Sequence, residues 1–128
     1  MAGTPLVDLD VRMGRELIQL LDERGFPITG AAWIFVPEMG QWRLFLRTPR
    51  AAVDLLQAYR DVSDAMDDKG DLRTRLELSR VKLVPPTDRT LLAMGRVVRE
   101  PGLAAIPFAS NVVDGIFLDD ALVYRLAA

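Results

Sequence analysis

The chain has 128 residues, half of them hydrophobic and 27% charged, with a net charge of −2, which is the make-up of one ordinary folded domain able to bury about two-thirds of its unfolded surface. It contains neither cysteine nor histidine, so disulfides, Cys/His zinc sites, iron–sulfur clusters, thiol nucleophiles and every histidine-based triad are excluded. The charge balance argues against nucleic acid as a partner of the chain as a whole.

Fourteen arginines stand against two lysines, Lys69 and Lys82. With alanine also abundant, the skew reads as GC-rich coding sequence from a bacterial source rather than as an arginine-specific site. The N-terminal stretch has no cationic start leading into an apolar run, and Asp8 and Asp10 interrupt its apolar character. No apolar run approaches a transmembrane length, so no membrane association and a cytoplasmic location are the expectations.

The spacing of Met13, Leu17, Leu20 and Leu21, widened by Ile18, predicts a helix over 10–25, with Asp10 as N-cap and Gly25 just past the C-terminus. Gly14 lies inside it at a propensity cost of about 1 kcal/mol relative to alanine, a pattern suited to close approach of helix and sheet. Residues 31–48 then read as a β-hairpin. An apolar run from Ala31 to Val36 is expected to be a central strand covered on both faces. A turn over Pro37 to Gln41 leads into a strand nearer an edge, with Trp42, Leu44 and Leu46 on one face and Arg43, Phe45 and Arg47 on the other.

Thr48-Pro49 is expected to open a second helix running to Gly70, its buried stripe being Ala52, Leu55, Leu56, Tyr59, Val62 and Met66, with Arg50–Asp54 and Arg60–Asp64 pairs outside. Leu72, Leu76 and Leu78 alternate with charges and then slip phase before Val81 and Leu83, implying strand character with a bulge or loop near Ser79-Arg80 and a firm strand over 80–84, stopped by Pro85-Pro86. Thr87 or Asp88 caps a third helix to about Arg99, with Leu91, Met94, Val97 and Val98 inward. Leu103 to Ser110 reads as loop. The tail is β-rich, and the preferred arrangement is a hairpin of Gly115–Leu118 and Ala121–Leu126 turning at Asp119-Asp120, over the alternative turn at Asp114-Gly115. The expected fold is a single α+β domain over 1–128: a mixed sheet of about five strands with three helices packed mainly on one face, in the order α-ββ-α-β-α-ββ.

Candidate sites are few. The Arg43/Phe45/Arg47 face carries cations around an aromatic ring, which could stack on bases or clamp an anion, and Arg73, Arg75, Arg80 and Lys82 would extend it if their strand were adjacent. The competing reading is an edge strand protected by charge. Asp61, Asp64, Asp67, Asp68 and Asp71 gather acids near one helix end without the spacing of a calcium loop, and a solvated helix end explains them. Asp67-Asp68-Lys69 formally matches the carboxylate-x-lysine triplet of metal-dependent nucleases but falls beside Gly70 rather than on an apolar strand. The Val84–Thr90 junction could offer N–H groups and Arg89 to an anion, yet its prolines and Asp88 oppose that. Glu38, Asp114, Asp119 and Asp120 suit turns better than glycoside chemistry, and Ser63, Ser79 and Ser110 have no elbow motif or base. No catalytic residue, metal ligand or cofactor is assigned. The expected function is a non-enzymatic module for protein interaction, self-association above all, with a phosphate-ligand-binding protein or Mg²⁺-dependent nuclease as the alternative.

Overall fold

The computed structural model describes residues 5–109, 111–113, 115–118 and 120–127. Its centre is a five-stranded mixed sheet of β1 (Gly30–Val36), β2 (Gln41–Arg47), β3 (Val81–Val84), β4 (Ile106–Phe108) and β7 (Ala121–Leu126), in the spatial order β3-β2-β1-β7-β4. β1 pairs antiparallel with both β2 and β7, β3 runs parallel to β2, and β4 is antiparallel to β7. The α+β class and the five-stranded mixed sheet are as the sequence indicates. β1 is the central strand, as its uninterrupted apolar run requires.

Alternation along β1 divides the interior. Ala31 and Trp33 point to one core with Leu44 and Leu46 of β2, whereas Ala32 and Ile34 point to the other with Phe45. Three helices fill the first core: α1 (Asp8–Glu23), α3 (Leu55–Asp67) and α4 (Gly70–Arg75). The second is closed by α5 (Arg89–Met94) through Leu91, Ala93 and Met94, and by Phe108 of β4. Both faces of the sheet are therefore covered, the first by far more helix.

α1 ends in a Schellman motif: Gly25, at φ +73°, donates its N–H to the Asp22 carbonyl, and Phe26 donates to that of Leu21. Its start differs from expectation. Val7 is the N-cap and gives no side-chain bond. Asp10 lies in the first turn and is drawn instead to Arg80.

The helix expected from Thr48 to Gly70 is broken. α2 (Arg50–Val53) stops at Asp54, whose backbone is extended at φ −153° and whose carboxylate caps α3 by accepting from the Gln57 N–H at 3.1 Å. Arg50 consequently pairs with Asp61, at 3.2 Å, and not with Asp54 as the helical spacing suggested. Thr48 does bind the first turn of α2, its hydroxyl accepting from the Arg50 N–H. The inward residues of α3 are Ala58, Val62, Ala65 and Met66. Ala52, Leu55 and Leu56, expected inside, are exposed.

Gly70, expected to end the second helix, instead begins helix α4, which takes in the first part of the alternating stretch, because burying Leu72 and Leu76 four residues apart matches a helical turn as well as it matches alternation. The phase slip at Ser79-Arg80 is a 3₁₀ turn over Leu78–Arg80 that delivers the chain into β3. α5 is shorter than expected, ending at Met94 and leaving Val97 exposed.

Within the stretch read as loop, Ile106–Phe108 forms edge strand β4; Ser110 lies outside the described residues. Pro107 is tolerated because a proline lacks only the N–H, which an edge strand can spare. The C-terminal pairing also differs. β6 (Ile116–Leu118) pairs with β5 (Asn111–Val113) and not with β7, Gly115 has φ +78°, and β7 joins β1. Asp114 and Asp119 themselves lie outside the described residues. The reason is burial: β7 gains a place between β1 and β4 that a terminal hairpin could not give it.

Candidate functional site

The parallel register of β2 and β3 sets Phe45 opposite Lys82, so β3 is indeed the neighbour that could extend the Arg43/Phe45/Arg47 face. The three side chains meet different fates there. Phe45 is buried in the second core, with the Lys82 ammonium 5.1 Å from its ring centroid. Arg47 is only 6% exposed. Its Nε donates to the Thr29 hydroxyl at 3.0 Å, and Nη2 donates to the carbonyls of Thr29 and Ala127, both at 2.8 Å.

Arg47 thus ties the entry of β1 to the end of β7, and Gly30 leaves the space its guanidinium fills. Desolvation lowers its pKa from the ordinary arginine value, while the charge of Asp88 pulls the other way. Arg43 is half-buried. It donates to the Ser79 carbonyl at 3.2 Å and reaches the Met39 sulfur at 3.9 Å, and its Nε is buried without a partner among the described residues. Of this row of side chains, Lys82 is exposed and Arg43 only partly so.

Arg80 goes to the opposite face. It makes a two-point ion pair with Asp10, at 2.9 and 3.1 Å, and its guanidinium lies 4.7 Å from the Trp33 ring centroid. Arg73 binds Ser63 and Asp67. The arginines that sequence spacing could have grouped are therefore distributed over separate surfaces.

The acidic cluster is likewise divided. Asp61 accepts from Arg50 and from Gln57, Asp67 pairs with Arg73, and Asp68 pairs with Arg24. Asp64 lines a small hollow of about 240 Å³ with Arg24, Phe26 and Arg50. Asp68 and Asp71 face Glu16 and Glu23 of α1 across a cleft of about 600 Å³, whose lining also includes Lys69, Leu20 and Leu72. Among the described residues no three carboxylates converge closely enough to hold a metal ion. At the junction before α5, the Asp88 carboxylate is engaged in capping the Leu91 N–H at 3.1 Å.

One surface was not anticipated from sequence. The break at Asp54 turns α2 and the first turn of α3 outward, exposing Val53 (87%), Leu56 (61%) and Leu55 (46%) side by side in the chain, with Ala52 also exposed. The signal that could have found it is Asp54-x-x-Gln57, an N-cap residue followed by glutamine at the third helical position, which marks a helix start inside an apparent helix. Isolated surface aliphatics are ordinary; contiguous apolar patches are what mark contact surfaces, and these three are close neighbours in the chain.

Comparison with protein-family models, with curated proteins and with solved structures returned no match.

Proposed function

We propose that this chain is a non-enzymatic protein-interaction module that self-associates through the shoulder formed by α2 and the start of α3. The observation that supports this reading is the exposure of Val53, Leu55 and Leu56 close together in the chain, whereas the other exposed aliphatics, Val7, Leu92, Val97 and Val112, are spread along it. Removing aliphatic surface from water is worth roughly 25 cal/mol per Å², and two-fold pairing presents an apolar patch to its own copy, which is chemically self-complementary. Beside the patch the Arg50 and Asp61 charges offset each other in an ion pair, and the Asp54 carboxylate, still negative, is held at the N-terminus of α3 by the Gln57 N–H.

Light scattering across the micromolar range tests the proposal. The expected result is a mass above that of the monomer that reverts to monomer in the Val53→Asp/Leu56→Asp double variant, whose circular-dichroism spectrum stays that of the folded chain. An oligomer untouched by those substitutions would move the interface elsewhere. A strict monomer that also captures no partner in a native pull-down would end the interaction-module reading.

A further inference from the structure

We draw no further inference here: the strongest candidate, the cleft of about 600 Å³ between α1 and the α3–α4 turn, is a cluster of carboxylates for which no second feature among the described residues points to a ligand.

Discussion

The Trp33 indole N–H donates to the Tyr124 hydroxyl at 3.0 Å, and both groups lie directly beneath Gly14 of α1. The Tyr124 hydroxyl passes the chain on, donating to the Val11 carbonyl at 2.5 Å. Two fully buried rings are thereby bonded to each other and to the helix that covers them. Such an arrangement requires a helix backbone close enough to touch the sheet side chains.

Gly14→Ala therefore reverses the usual helix rule. Alanine is intrinsically favoured in a helix by about 1 kcal/mol, but a Cβ here would stand 2.7 Å from both Trp33 Nε1 and the Tyr124 hydroxyl oxygen. Overpacking of that kind costs roughly 1–3 kcal/mol. Denaturant titration should show a net loss of stability, and a stabilised G14A would refute the close-packing account.

Tyr124 supplies a pH prediction. Burial pushes its hydroxyl up to about 12, against the opposing hydrogen bond from Trp33. An unfolded tyrosine titrates near 10, so between about pH 10 and 12 the unfolded chain loses this proton while the folded one keeps it. The contribution is whole below pH 10 and is lost as pH rises through that window, by at most about 1.4 kcal/mol per pH unit. Tyr124→Phe should be less stable at neutral pH by about 1–3 kcal/mol, because two buried groups lose their partner, and should show a shallower alkaline decline. Parallel slopes for the two proteins over this range would contradict it.

Arg47 acts through its fork. Lysine keeps the charge but cannot serve the Thr29 hydroxyl and two carbonyls together from one planar group. Arg47→Lys is expected to cost about 2 kcal/mol and Arg47→Met more, since carbonyls are left unsatisfied. Hydrogen exchange should report the loss at the β1 entry and the end of β7 before the rest of the sheet. A uniform loss of protection would argue against a local clamp.

The Asp10–Arg80 pair joins the first turn of α1 to the 3₁₀ turn ahead of β3 across 70 positions of sequence. Both side chains are mostly, not fully, shielded, so their coupling in a cycle of Asp10→Asn, Arg80→Gln and the double variant should be about 1 kcal/mol, between exposed and buried pairs. Additive single effects would show the pair to be energetically silent.

How far the sequence carried depended on the kind of interaction. The hairpin of β1 and β2 was legible because an unbroken apolar run over 31–36 and a period of two over 42–47 flank a turn with Gly40, which sits at φ +63°. The Gly25 terminus of α1 was legible for the same local reason. The stretch from Thr48 to Gly70 misled because its aliphatic spacing fits one long helix, and the break depends on a single capping bond at Asp54. Arg43, Phe45 and Arg47 were correctly placed on one face of β2, yet alternation cannot say what lies over that face; α5, β4 and the chain end at Ala127 supply the answer.

Sequence alone determined the α+β class, the central position of β1, the two ends of its hairpin, and the absence of histidine and cysteine chemistry. All of these follow from residue identity or from short periodic patterns. Tertiary structure decided the sheet order, the departure of β7 from its neighbour to pair with β1, and the shift in register that leaves Tyr124 without a partner residue in β1, between Val123 and Arg125. That bulge turns Tyr124 toward Trp33 while Arg125 reaches Asp22 of α1. It also decided that Arg47 is an internal clamp and that Val53, Leu55 and Leu56 face solvent. The physical reason is that burial belongs to pairs of surfaces: a side chain's pattern fixes which face it shares, and only the packing of distant elements fixes whether that face is covered.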